Sequence, residues 1–246
     1  MQIVVGETLL NYTILGNQNK ESILILHGWG RSSKDWVDIG VEFSNDYKVI
    51  LLDLPGFGGS SLPAKSIFDI YDFQKIVSEF INNLHLNKVT LIGHSFGGKI
   101  GIVLAAKSNI LKKLILINSS GIETKQLNIV ILNWLASNLK PLIKILPELV
   151  RDKIFSMISS RDYLESGEMK ETFKRIVKQD VSNDARKVNC PTLLVWGEND
   201  KEVPISSTKI LNRLIRKSVL RVVWNSGHDP HLTDSKKLLY LLREYL

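Results

Sequence analysis

Short apolar runs alternate along the chain with segments whose apolar positions recur every three to four residues, a pattern that predicts repeated strand–helix units. Ile23–Leu26, Val49–Leu52, Val89–Ile92, Leu114–Ile117, Leu193–Trp196 and Leu220–Val223 are continuous and rich in Ile, Leu and Val. Such runs suit strands covered on both faces, so the pattern predicts an α/β fold with a mostly parallel sheet. Helices are predicted over Ile70–Leu84, where Phe73, Ile76, Val77, Phe80, Ile81 and Leu84 form one stripe, and over Gly97–Lys107, Ser206–Arg216 and Leu238–Leu246. Gln2–Val5 and Thr8–Leu15, on either side of Gly6-Glu7, read as an antiparallel hairpin feeding the sheet.

The alternation stops between residues 122 and 187, where helical periodicity replaces it. Met169, Phe173, Ile176 and Val177 fall on one helical stripe, and the unusually apolar stretch Ile129–Leu149 is interrupted by Pro141 and Pro147, which end or kink helices. Because strand patterning resumes at Thr192, the segment reads as an insertion: residues 1–121 and 188–246 form one core domain, and 122–187 a helical cap.

Of the 246 residues, 44% are apolar and 23% charged, which excludes a disordered tail, a collagen-like repeat or a disulfide-stapled miniprotein. The net charge of +7 raises the question of an acidic partner. Residues 201–246 hold nine basic side chains against four acidic ones, dispersed at helical spacings without interleaved aromatics, so they read as a solvated face and not a nucleic-acid platform. The N-terminus lacks the basic and apolar regions of a secretory signal, and no run approaches the roughly 18–20 apolar residues of a membrane span. The expectation is a cytoplasmic protein, monomeric or homodimeric, without stable membrane insertion. Cys190, the single cysteine, reads as a small buried hydrophobe.

Candidate chemistry centres on Val89–Gly98, a strand followed at once by Gly93-His-Ser-Phe-Gly97 and then by a helix. A G-x-S-x-G in that setting holds its serine on a sharp turn at the strand's C-terminal end, and bulk at either glycine would clash. The turn also aims the Phe96 N–H at the site from a helix N-terminus, where partial positive charge favours an oxyanion. A serine hydroxyl needs a base, and the base an orienting acid. Asp200, in Trp196-Gly-Glu-Asn-Asp200, and His228, in Asn225-Ser-Gly-His228, follow two later strands in the order Ser, Asp, His.

Together these motifs resemble the α/β-hydrolase superfamily over essentially the whole chain, along with His27-Gly-Trp-Gly30 and Asp53-Leu-Pro-Gly-Phe-Gly-Gly-Ser60 after the first two buried strands. The resemblance implies a doubly wound sheet of about eight strands with the cap inserted after the sixth. It also implies Ser95 as nucleophile, His228 as general base and acid, and Asp200 as its orienting acid. The backbone N–H groups of Trp29 and Phe96 would form the oxyanion hole.

Other residues compete for these roles. Glu198 stands two positions before Asp200 as an alternative acid, and Asp229 is a weaker one because it adjoins His228. His27 and His94 read as structural or pocket-forming, His85 as surface, and His231 as a neighbour of the His228 loop. Asp53 reads as the organiser of its own tight turn. No metal-ligand or dinucleotide spacing is present, so neither a metal nor a cofactor is expected.

A serine at the nucleophile position argues against the halide-displacing and epoxide-opening members of the superfamily. C–C bond hydrolases of ring-cleavage products in the superfamily typically have a longer oxyanion loop and a tryptophan after the histidine, so within the resemblance the His27-Gly-Trp-Gly30 loop and Asp229 imply carboxylic ester hydrolysis instead. The expected substrate is a small ester or lactone of short to medium acyl length, with His94, Trp134, Leu135 and Leu139 as candidate pocket residues. A ligand receptor that keeps the site without turnover is the reading from a different class.

Overall fold

The computed structural model describes residues 1–16, 21–63, 65, 67–122 and 166–246. An eight-stranded sheet runs through it: β1 (Gln2–Val5), β2 (Thr8–Leu15), β3 (Ser22–Leu26), β4 (Lys48–Leu52), β5 (Val89–His94), β6 (Leu111–Ile117), β7 (Thr192–Gly197) and β8 (Ser218–Val223). Their spatial order is β1-β2-β4-β3-β5-β6-β7-β8. The opening hairpin pairs antiparallel and joins β4 antiparallel, and every pairing from β4 through β8 is parallel.

Alternation along the strands sorts the core into two layers. Leu24, Leu26, Ile50, Leu52, Leu91, Leu114, Leu116, Leu194 and Trp196 face one side of the sheet, with Phe73, Val77, Phe80 and Ile81 from helix α2 (Ile70–Asn83) and Ile100, Val103 and Leu104 from α3 (Phe96–Lys107). Their neighbours Ile23, Ile25, Val49, Leu51, Ile92, Ile115, Leu193 and Val195 face the other. There they meet Trp36, Ile39 and Phe43 around helix α1 (Val37–Phe43), and Leu238 and Leu242 from the C-terminal helix. Burial on both faces is why these strands are uniformly apolar. Phe80, fully buried and edge-on to Tyr12 at 5.3 Å, typifies the packing, and its truncation to Ala would cost about 3–5 kcal/mol.

Four elements depart from the sequence pattern. β8 is an edge strand whose outer face leaves Val219 and Arg221 exposed, so it is not covered on both sides. The 3-10 turn Ser33–Trp36 and α1 have no apolar stripe long enough to announce them. On the predicted stripe through α4 (Lys170–Lys178), Ile176 and the preceding Met169 are buried, but Val177 points to solvent at 63% exposure.

The segment before β7 is docked on the core by specific bonds. Ile70 N–H, at the start of α2, donates to Gln179 Oε1 at 2.9 Å, Phe68 N–H to Thr172 Oγ1 at 3.1 Å, and Tyr71 Oη to Asp184 Oδ2 at 3.1 Å. Asp184 sits in α5 (Ser182–Ala185). The Lys99 ammonium, buried on α3, donates to the Ile176 carbonyl at 2.5 Å in the last turn of α4. Helix α6 (Ile205–Leu214) links β7 to β8, and α7 (Pro230–Thr233) and α8 (Ser235–Tyr245) close the chain. No helix among the described residues is long and apolar enough to cross a membrane.

Candidate active site

The chain leaves β3 toward β4 on one side and returns to place β5 on the other, so the loops after β3 and β5 diverge at the C-terminal edge of the sheet. Crevices form at such switch points. Ser95 stands there, between β5 and α3, at φ +49° and ψ −111°, a conformation strained for a residue with a Cβ. The surroundings hold it: Ser95 N–H donates to the Ile117 carbonyl at 3.0 Å, and its own carbonyl accepts from Ser120 N–H at 3.1 Å. A Cβ on Gly97 would lie 2.4 Å from the Leu26 carbonyl oxygen, and one on Gly93 2.6 Å from that of Gly97, so only glycine fits at either position.

β7 and β8 deliver the acid and the histidine. His228 Nδ1–H donates to Asp200 Oδ2 at 2.8 Å. Asp200 is buried and accepts from every side: Asn118 Nδ2 reaches Oδ2 at 2.5 Å, and the Glu202 and Val203 N–H groups reach Oδ1 at 2.8 and 2.9 Å. Burial pushes the Asp200 pKa up, but these bonds and the His228 charge outweigh it and hold the carboxyl below its ordinary range. Burial likewise pushes His228 down, and Asp200, Glu202 and Asp229 reverse that, so its pKa stands above the usual histidine value.

The opposite nitrogen, His228 Nε2, lies 3.3 Å from Glu202 Oε2. Ser95 Oγ has no hydrogen-bond partner among the described residues, and the N–H groups of Trp29 and Phe96 likewise donate to none of them. The Trp29 indole is fixed by Nε1–H to Ser166 Oγ at 3.1 Å and by edge contacts with Phe57 and Phe96 at 4.9 and 5.1 Å.

The competing residues sit elsewhere. Glu198 is exposed, and its Oε2 accepts from Asn225 N–H at 3.0 Å. His27 is fully buried, with Nδ1–H donating to the Gly28 carbonyl at 2.7 Å and Nε2 accepting from Leu54 N–H at 3.0 Å, a latch between two loops. Asp53 receives the Ser33 and Gly59 N–H groups at 2.7 and 2.9 Å and Asn11 Nδ2 at 2.8 Å, and so ties its turn together. His85 is exposed. Cys190 lies half-buried at the opposite edge of the sheet, beside a cavity of about 210 Å³ flanked by Lys112 and Pro191, and burial pushes its thiol pKa up.

His94 is buried at 1% exposure behind the His228 loop, where Nε2–H donates to the His228 carbonyl at 2.9 Å. His231 stacks on Trp36 with centroids 4.2 Å apart, and burial pulls its pKa down to about 3. One potential ligand atom from each of His94, Asp229 and His231 falls within 4.8 Å of the others. Arg31 pairs with Asp229 at 2.5 Å, however, and its charge opposes a cation there. Trp134, Leu135, Leu139 and the apolar stretch 129–149 lie outside the described residues.

Two residues near the His228–Asp200 pair belong to no sequence motif. Asn118 stands at φ +45° just past β6, and a polar residue ending a buried strand at the C-terminal edge of the sheet is a usable signal for it. Glu202 carried no signal beyond its closeness to Asp200.

Residues 21–143, half of the chain, match the family model described as the alpha/beta hydrolase fold. An uncharacterized hydrolase of Bacillus subtilis, YugF, is 27% identical over 86% of this chain and 85% of its own length. A monoacylglycerol lipase of Xenopus laevis, abhd6-B, is 24% identical over 96% and 78%. An Escherichia coli 2-hydroxy-6-oxononadienedioate/2-hydroxy-6-oxononatrienedioate hydrolase is 27% identical over 91% and 86%.

Proposed function

The chain belongs to the α/β-hydrolase fold family, and we propose that this hydrolase cleaves carboxylic esters or lactones of short to medium acyl length through an acyl-enzyme on Ser95. Nε2 of His228 takes the Ser95 proton as the hydroxyl attacks the carbonyl carbon. Asp200 holds the ring in the Nδ1–H tautomer and stabilises the imidazolium, and the free N–H groups of Trp29 and Phe96 bind the developing oxyanion. The imidazolium then protonates the leaving alcohol, and water repeats the sequence on the acyl-enzyme.

The single observation behind this reading is the Nδ1–H to Asp200 bond at 2.8 Å, at the same edge of the sheet as a serine held in a strained turn. That pairing fixes the tautomer that leaves Nε2 as a base. The lipase relative supports ester chemistry. The dienedioate hydrolase relative supports a second reading, C–C bond hydrolysis of a dianionic ring-cleavage product, in which the same nucleophile or an activated water adds to a ketone carbonyl, the adjoining C–C bond breaks, the departing carbon takes a proton and the carbonyl fragment leaves as a carboxylate.

The test is multiple-turnover hydrolysis of a panel of esters and lactones of increasing acyl length, with an oxononadienedioate substrate alongside. Turnover of neutral esters that vanishes in Ser95→Ala is the expected result. Undiminished hydrolysis by Ser95→Ala would overturn the nucleophile, and preferred turnover of the dioate would select the second reading. Tight ligand binding without turnover would instead mark a receptor.

A further inference from the structure

The carboxylate at 3.3 Å from His228 Nε2 lies on the side of the ring that a leaving group must approach. The Glu202 backbone is anchored, since its N–H donates to Asp200 Oδ1 at 2.8 Å, while its side chain is 60% exposed above a histidine side chain that is only 10% exposed. Glu202 therefore reaches over the base from the solvent side. A leaving oxygen that takes its proton from Nε2 must come within about 3 Å of that nitrogen, so it shares a contact with the Glu202 carboxylate.

The described charges grouped round the histidine are Asp200, Glu202, Asp229 and Arg31, with Arg31 paired to Asp229 at 2.5 Å. Among the described residues, three carboxylates and one guanidinium thus stand round His228, although the chain as a whole has a net charge of +7.

We propose that Glu202 is a specificity-determining residue that selects substrates by the charge of their leaving alcohol, favouring cationic and neutral alcohols over anionic ones. A charge two carbons beyond the ester oxygen would stand roughly 6 Å from the carboxylate. At effective dielectric constants between about 80 and 20, that separation changes the interaction by between about threefold and a hundredfold for each sign of charge. The effect is exerted mainly where the alcohol departs, so it falls on kcat/KM. The selection rests on the ester-hydrolase reading above, and it also disfavours dianionic substrates in this site.

The experiment holds the acyl group constant and varies only the alcohol: butyrylcholine as cation, 3,3-dimethylbutyl butyrate as its neutral isostere and 3-(butyryloxy)propanoate as anion, all at pH 8. The expected wild-type order of kcat/KM is cation, neutral, anion, with at least tenfold between the extremes. Glu202→Gln should narrow that span to within about threefold, chiefly by raising the anion, Glu202→Lys should invert it, and Glu202→Asp should keep it. An unchanged span in Glu202→Gln, or an equal loss on all three esters, overturns the proposal.

Binding of arylboronic acids bearing trimethylammonium, tert-butyl or carboxylate groups, read by calorimetry on the same variants, gives the same comparison without turnover. The ester-hydrolase reading fails separately, if Ser95→Ala still hydrolyses the three esters. If neither esters nor boronic acids engage the protein, both that reading and the charge selection fall.

Discussion

Asn118 and His228 meet on one oxygen: Asn118 Nδ2 donates to Asp200 Oδ2 at 2.5 Å, and His228 Nδ1 donates to the same atom at 2.8 Å. Asn118 also accepts the Gly197 N–H at 3.3 Å through Oδ1 and reaches the Gly227 carbonyl at 3.3 Å through Nδ2. One side chain at the end of β6 therefore ties together the ends of β7 and the His228 loop. A hydrogen bond to a charged group contributes about 1.5–3 kcal/mol, so Asn118→Ala should lower kcat by roughly 10- to 100-fold with little change in KM. Removing a donor from Asp200 makes it the stronger partner of the imidazolium, and the acid limb of the pH profile should move to higher pH. A loss of thermal stability with unaltered kcat and pH profile would reduce Asn118 to a structural role.

The two candidate acids separate cleanly. Asp200 meets the imidazole, whereas Glu198 is occupied with the Asn225 N–H. Asp200→Asn should cut kcat by about 10⁴, because the amide favours the wrong tautomer, and Glu198→Gln should leave kcat within about threefold. Stopped-flow acylation rates on an activated ester measure both, and the reverse ranking would transfer the role to Glu198.

The pH dependence follows from the raised His228 pKa. In the proposed mechanism His228 acts as base only when Nε2 is unprotonated, so kcat/KM should rise with pH through a value above the ordinary histidine pKa of 6.5. Asp200, Glu202 and Asp229 hold the proton on, and the adjoining His94 and His231 rings stay neutral because burial pulls their own pKa values far down. Glu202→Gln removes one of these attractions, so its acid limb should lie at lower pH than that of the wild type. A kinetic pH series on a neutral ester decides it, with coincident profiles counting against the contact.

Lys99 links the Ser95 helix to α4 at the expense of stability. Burial lowers its pKa to about 8 from 10.5, with Asp180 pulling the other way. The unfolded chain therefore binds more protons between about pH 8 and 10.5, and folding stability must rise with pH across that window. Below about pH 8 the charged amine is buried at full cost, on the order of 3 kcal/mol. Denaturant unfolding at pH 7 and pH 9.5 should show the wild type gaining about 1–3 kcal/mol relative to Lys99→Met. A parallel pH dependence in both proteins would contradict the buried charge.

Much of the architecture is legible because it is written locally. A doubly covered strand must be apolar throughout, and an amphipathic helix must repeat every three to four residues, so β3 to β7 and α2 emerge from composition and period alone. The same rules misjudge β8, whose neighbours on one side are solvent, and pass over α1, which is only seven residues long and is held by Trp36, Ile39 and Phe43 packing on the sheet. The Gly93–Gly97 turn was equally legible, since a strained serine between two glycines that cannot carry a Cβ is a local requirement.

By itself, then, the sequence determined the α/β fold, the serine turn and the candidate acid and base in their chain order, because each rests on neighbours within a few residues. Only the tertiary structure decided what surrounds them. Asn118 on Asp200, His94 behind the His228 carbonyl and Glu202 over Nε2 join residues from different strand ends. These contacts depend on how parallel strands are ordered in the sheet, and no periodicity along the chain encodes them. The same holds for charge: a chain with an excess of seven positive charges folds so that carboxylates gather round its histidine, since a site's field is set by the few groups within several ångströms of it and not by the total.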